Sequence, residues 1–244
     1  EDSPTIPKRM ADAAAGEQML NFIMPRWRFD ILHPVDLVEE IAIGHGYEDL
    51  GQDVAKAPLT AIPRSDNHIR RRIRDSLQGL GFMQIQSLTL SNDRDQFELM
   101  RWQQSGGVTR ITNPITIDHT LLRQYILPGL FRLLASNRHH ELPQGVYELG
   151  TVVRDHKNCD RVAFLMAEKG GGFAAVRGRI QAMLRDLGAN DYTIEALPDG
   201  EGPWLTGRSA KVLIGGIWVG CFGEIDPSVS NEFELKVPIN GAEF

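Results

Sequence analysis

Apolar residues recur at helical spacing in four stretches of this chain. Leu37, Val38 and Ile41 form one side of a short helix beginning at Pro34, with Gly44 and Gly46 as its stop. Proline suits the first helical position, because its φ is already helical and its missing N–H would find no partner there. Ile69, Ile73, Leu77 and Leu80, spaced by four, four and three, make the stripe of a second helix. Ser65 or Asp66 is its expected cap, Gly79 and Gly81 its end, and Arg70, Arg71, Arg72 and Arg74 lie opposite the stripe. A third helix is predicted over residues 118–137, interrupted at Pro128-Gly129, with Ile126, Leu130, Leu133 and Leu134 turned to a sheet. The fourth, residues 173–187, carries Val176, Ile180, Met183, Leu184 and Leu187 on one face.

Strands are predicted at residues 83–90, where the alternation is imperfect, and at 145–153 and 161–168, joined through a polar turn. Three more are expected at 209–214, 218–225 and 236–239. Short strands joined by turns, with helices inserted, predict an α+β fold: an antiparallel sheet flanked by helices. Ahead of it, residues 1–50 contain an apolar stretch at 10–15, a turn at Gly16-Glu17 and a strand-like run at 19–24, then the Pro34 helix. Residues 51–63, with Pro58 and Pro63, read as a linker into the domain at 64–244. No internal repeat is present.

Composition narrows the function. Of the 244 residues, 42% are hydrophobic and 24% charged, ordinary proportions for a globular protein. No apolar run reaches the roughly 18 residues of a membrane span, and no secretory signal opens the chain. A net charge of −6 argues against generic electrostatic binding of nucleic acid, so any RNA contact is expected to be local or assisted by a partner. Cys159 and Cys221 offer neither a disulfide framework nor, with His156, a zinc set, which points to a reducing, cytoplasmic setting.

The densest chemistry lies around the Pro34 helix. Asp36, Glu39 and Glu40 stand at i, i+3 and i+4 and share one face, and Asp30 closes the preceding extended stretch. Two readings compete. Acids near a helix N-terminus gain about 0.3–1 kcal/mol each from the macrodipole. Alternatively, clustered carboxylates suit a hard cation such as Mg²⁺. Four anions so close repel unless a cation, or Arg26 and Arg28, neutralises them.

The same segment carries a family resemblance. Arg28, Asp30-Ile31, Asp36-Leu37, Glu39-Glu40 and Gly46-Tyr47 resemble, in order and spacing, the end of the small winged-helix-like domain in phenylalanine–tRNA ligase beta subunits. That likeness implies that Asp30, Asp36, Glu39 and Glu40 are Mg²⁺ ligands at a boundary with the catalytic alpha subunit. It also implies an α₂β₂ heterotetramer that charges tRNA with phenylalanine at the expense of ATP, the ATP site being in alpha. Residues 64–244 resemble a class II aminoacyl-tRNA synthetase core, and the Leu-Leu-Arg run ending at Pro128-Gly129-Leu130 is similar to a beta-subunit helix. Arg70, Arg71, Arg72 and Arg74 admit an RNA contact, with a solvated helix face favoured over it. In class II cores the first helix and strand build a subunit interface, so the resemblance adds pairing with acids of a partner chain as a third reading. The chain opens at Glu1 in mid-domain by this comparison and is expected to be a fragment, of archaeal/eukaryotic type.

Class II chemistry needs two arginines to hold ATP phosphates. Arg154 stands where the second motif supplies one, with a plain structural charge as the competing reading, while residues 236–244 supply none for the third motif. The amino-acid pocket motif survives only as the apolar run ending at Glu168. The core is therefore expected to be synthetase-like in fold and inert in chemistry. Gly170-Gly171-Gly172 lacks a following Gly-Lys-Ser/Thr and reads as a strand-to-helix turn. A freestanding class II-like ligase and a winged-helix nucleic-acid-binding module stand as alternatives. The first is opposed by the missing arginine and the second by the acidic balance.

Overall fold

The computed structural model describes residues 22–51 and 64–244. The chain divides into two compact units, Glu1–Ala61 and Ile62–Phe244. The expected features at residues 10–17, the first half of the run at 19–24, and nearly all of the 51–63 linker lie outside the described residues.

In the first unit, α1 (Pro34–His45) begins with the proline at its first position and is capped by His33, whose side chain accepts from the Val35 N–H. Asp36 reaches back to accept from the Leu32 and His33 N–H groups at 2.9 and 2.7 Å, completing a capping box. A 3₁₀ turn, Tyr47–Leu50, follows Gly46. The apolar side anticipated for α1 is half exposed at Val38 and Ile41.

The second unit holds a seven-stranded sheet. Its strands are β1 (Met83–Gln84), β4 (Gln144–Arg154), β5 (Lys157–Ala167), β6 (Tyr192–Ala196), β7 (Trp204–Ile214), β8 (Ile217–Ile225) and β9 (Ile239–Glu243), in the spatial order β1-β4-β5-β9-β8-β7-β6. Every neighbouring pair is antiparallel except β1 with β4. A separate two-stranded ribbon joins β2 (Leu90–Ser91) to β3 (Leu121–Leu122). The helices are α2 (Ser65–Gly79), α3 (Leu127–Ser136), α4 (Phe173–Asp186) and α5 (Pro227–Glu232).

Period-two alternation makes the sheet a divider between two cores. On β5, Val162, Phe164 and Met166 join Leu77 of α2 and Val176, Ile180, Met183 and Leu184 of α4. Ala163, Leu165 and Ala167 point the other way, to Leu127, Leu130, Phe131 and Leu134 of α3 and Val229 of α5. The β7–β8 hairpin closes through Gly215 and Gly216, both at positive φ, the backbone that a two-residue turn of this twist requires.

Several predicted boundaries are corrected. The helix expected over 118–137 begins only at Leu127. Its first part instead forms β3, where the Arg123 N–H bonds the Thr89 carbonyl and the Arg123 and Gln124 side chains are buried among polar partners. Pro128, lacking an N–H, fits the opening of α3 rather than an interior. The 83–90 strand divides into β1 and β2, because Ser87 turns aside to the Glu148 carboxylate. The last strand is Ile239–Glu243, not 236–239. α2 is capped by neither Ser65 nor Asp66: Arg64 is the cap residue and Asp66 pairs with Arg64 and Arg70. Arg70 also bonds Asp160, and Arg72 bonds the Asp186 carbonyl, so these two arginines find acceptors within their own unit. β6, α5 and a π-type turn at Arg94–Glu98 are additions to the predicted elements.

Candidate functional site

The four acids of the first unit do not converge. Arg28 forks onto Asp30, with Nε at 3.0 Å and Nη2 at 2.8 Å, and also bonds Glu40 at 2.5 Å. This guanidinium lowers both carboxyl pKa values. Asp36 is committed to the backbone N–H groups of Leu32 and His33, and Glu39 is exposed. Among the described residues, no three His, Cys, Asp or Glu side chains are grouped so as to hold a metal ion. As placed, these residues do not fit Mg²⁺, because the cation between Asp30 and Glu40 is an arginine.

In the second unit a cleft of about 530 Å³ opens on the α3 side of the sheet. Arg154 ends β4, Arg161 lies on β5, Cys221 on β8 and Glu243 on β9, and strand register places all four at its floor. The β4–β5 turn has Asp155 and His156 at φ 49° and 60°. Three bonds to the facing segment hold it there: the Asp155 side chain accepts from the Gly107 N–H at 2.7 Å, the Asp155 N–H donates to the Gly107 carbonyl at 3.1 Å, and His156 Nδ1 lies 2.9 Å from Thr109 Oγ1.

Arg154 is half-buried and not a plain surface charge. Its Nε and Nη2 donate to the Gln124 carbonyl at 3.1 and 3.0 Å, and its guanidinium lies 4.8 Å from the Tyr125 ring centre. Tyr125 in turn stacks on Trp102 at 4.1 Å and donates its hydroxyl to the Gln103 carbonyl. Arg161 approaches Glu243 Oε1 only to 3.9 Å, and its buried Nε has no hydrogen-bond partner. The buried Trp204 Nε1–H is likewise without an acceptor in hydrogen-bond geometry. Its influence on Cys221 is outweighed by burial, which pushes that thiol up to about 12 and leaves it a poor nucleophile.

Glu243 is 1% exposed and accepts from the Ile126 and Leu127 N–H groups at 3.1 and 3.0 Å, at the start of α3. Burial raises its pKa above the ordinary 4.5, against the opposite pull of Arg161, those two N–H groups and Arg154. A carboxyl that binds its proton more tightly when folded adds stability below about pH 4.5 and loses it as pH rises through the folded value. Glu243→Gln should therefore flatten the fall in melting temperature above that pH. A series of thermal melts across acid and neutral pH, wild type against variant, measures this.

Other predicted features find structural employment. Glu168 is gripped by Arg179 at 2.7 and 2.8 Å and by Asn240, away from the cleft. At the Gly170-Gly171-Gly172 turn the first free N–H of α4, that of Phe173, donates to Glu224. Arg154 is the one cleft residue that sequence motifs single out. Arg161, Glu243, Trp102, Tyr125 and Trp204 are brought in by register and by loops. The one local signal is for Arg161, a charge at the head of an apolar run; the segment around Glu243 gives none.

Comparison with known proteins gives a consistent picture. Residues 52–244 match the family model for the phenylalanyl tRNA synthetase beta chain CLM domain, and residues 7–47 match the tRNA synthetase B5 domain. The phenylalanine–tRNA ligase beta subunit of Methanothrix thermoacetophila is 34% identical over 221 residues, which are 91% of this chain and 40% of that protein. The corresponding subunit of Archaeoglobus fulgidus is 34% identical over 225 residues, 90% of this chain and 40% of the relative. The chain thus spans well under half the length of these relatives. In fold it is similar to a pyrrolysyl tRNA synthetase from Desulfitobacterium hafniense, with a TM-score of 0.62 over 86% of this chain and 74% of that one, at 13% identity.

Proposed function

The chain belongs to the phenylalanyl-tRNA synthetase beta-chain family, and from that membership we propose that it acts by docking with a catalytic partner rather than by turnover. Residues 1–50 are then the end of a small winged-helix-like domain, 51–63 a linker, and 64–244 a non-catalytic class II core. The partner is the catalytic alpha subunit, in an α₂β₂ cytoplasmic assembly that uses ATP to charge tRNA with phenylalanine. Contact with tRNA comes through that assembly. Among the described residues no helix is long and apolar enough to cross a membrane.

The observation that carries the non-catalytic half is the state of Glu243. Amino-acid activation needs positioned cations around a developing phosphorus charge, Mg²⁺ included. Glu243 on the cleft floor is tied to two backbone N–H groups, and burial disfavours its charge, so it is a poor ligand for a divalent cation. Arg28 already neutralises Asp30 and Glu40. Metal binding by Asp30, Asp36, Glu39 and Glu40 therefore belongs to the assembled state, in which Arg28 and Asp36 would have to release their present partners.

One set of measurements tests this. The chain alone should give no ATP–pyrophosphate exchange and no melting shift with Mg²⁺. Co-expressed with a catalytic synthetase chain it should co-purify, and alanine at Asp36 and Glu40 should weaken Mg²⁺-dependent assembly. Robust exchange by the isolated chain would instead favour a freestanding ligase.

A further inference from the structure

The cleft on the α3 side keeps polar groups that the fold itself does not satisfy. In native proteins a buried donor without an acceptor is rare and costly, and a ligand is one of its standard explanations. Here two poorly served donors line one cavity: Arg161 Nε, which only approaches Glu243 at 3.9 Å, and the indole N–H of Trp204, a residue only 5% exposed whose neighbouring acceptor is the weak Cys221 sulfur. Arg154 adds a second guanidinium, held in place by the Gln124 carbonyl and the Tyr125 ring, with Nη1 outside those bonds. These positive groups sit in a chain whose net charge is −6. The carboxylate facing them, Glu243, is occupied by backbone donors. The walls are aromatic, supplied by Trp102, Tyr125, Trp204 and Trp218. A volume of about 530 Å³ lies within the ordinary range for a small-molecule site.

The geometry points to a binding site for a small aromatic carboxylate, its anionic group beside Arg161 and Arg154 and its apolar body against the indole walls. An added ammonium is disfavoured, because both oxygens of the buried Glu243 are already accepting from Ile126 and Leu127. A bare tetrahedral anion is disfavoured as well, since it leaves the aromatic walls uncovered. The site goes beyond the docking role and does not depend on it: it binds and does not turn over.

Calorimetric titration of the whole chain with 3-phenylpropionate, phenylalanine and inorganic phosphate tests the assignment. Saturable binding of 3-phenylpropionate in the micromolar to millimolar range is expected, with phenylalanine weaker and phosphate alone without effect. Arg161→Gln should weaken 3-phenylpropionate about 10- to 100-fold, the loss of one charge-assisted hydrogen bond. Its buried Nε makes no hydrogen bond that the fold would lose, and an unchanged circular dichroism spectrum checks that the variant is folded. Arg161→Lys should recover part of the affinity. Trp204→Phe should weaken binding while leaving an aromatic wall. Absence of saturable 3-phenylpropionate binding, or equal binding by folded Arg161→Gln, would overturn the proposal. Phenylalanine binding as tightly as 3-phenylpropionate would overturn the assigned ligand class.

Discussion

Replacing Arg123 with methionine should destabilise the second unit by about 3–5 kcal/mol, the cost of leaving a buried charge without its partner. Arg123 and Glu148 have side chains only 4% and 1% exposed, and they meet at 2.6 Å. Arg123 also donates to the Thr151 carbonyl at 3.0 Å and to Ser87 at 2.8 Å, while the Ser87 hydroxyl donates to the second Glu148 oxygen. The network thus joins the irregular segment after β1, the entry to α3 and the middle of β4. Removing the guanidinium strands a carboxylate that neither water nor another cation reaches. The paired change Arg123→Met with Glu148→Leu should recover much of the loss, because desolvation of the ions disappears with them. Urea unfolding of the single and double variants reads this directly; a single variant within 1 kcal/mol of wild type would show that water enters the pair.

A comparable loss, about 3–5 kcal/mol, is expected for Phe222→Ala, from lost burial plus the cavity left behind. Phe222 on β8 is fully buried among Phe164, Ala210 and Ala242 in the core under α2 and α4. Its ring stacks on Phe173 at 5.5 Å and 13°, which fastens the first turn of α4 to the sheet. The sheet is rigid through its ladder, so the space cannot collapse easily. Phe222→Leu should cost clearly less. Chemical denaturation of both variants, with slopes unchanged from wild type, would attribute the difference to packing alone.

These two sites also mark where sequence reading succeeds and stops. The β4–β5 hairpin and α4 were legible because their apolar residues keep one period throughout. The stretch before α3 was misread as helix: Arg123 and Gln124 have helix-compatible chemistry, and only distant partners such as Glu148 and Ser105 reveal why they are buried. β9 was displaced for the opposite reason, since Asn240, Gly241 and Glu243 are wholly buried yet show no apolar pattern. β6 was missed as an edge strand with Glu195 facing out. In the acidic helix the spacing of Asp36, Glu39 and Glu40 was readable, but spacing does not say where a carboxylate points. Asp36 turns back to backbone N–H groups, the stronger local demand at a helix start. The cleft was legible at Arg154 alone, since Arg161 and Glu243 become neighbours only through the pairing of β5 with β9.

That pairing bears on how the polypeptide emerges during synthesis. β9 comes after every other described strand in the sequence, yet it lies between β5 and β8. A nascent chain can zip β4 to β5, and β7 to β6 and β8, as separate hairpins, but no strand pairing joins these halves until residues 239–243 clear the ribosome. Until then each half presents an unpaired strand edge, so stalling synthesis just ahead of Ile239 should expose the chain to aggregation.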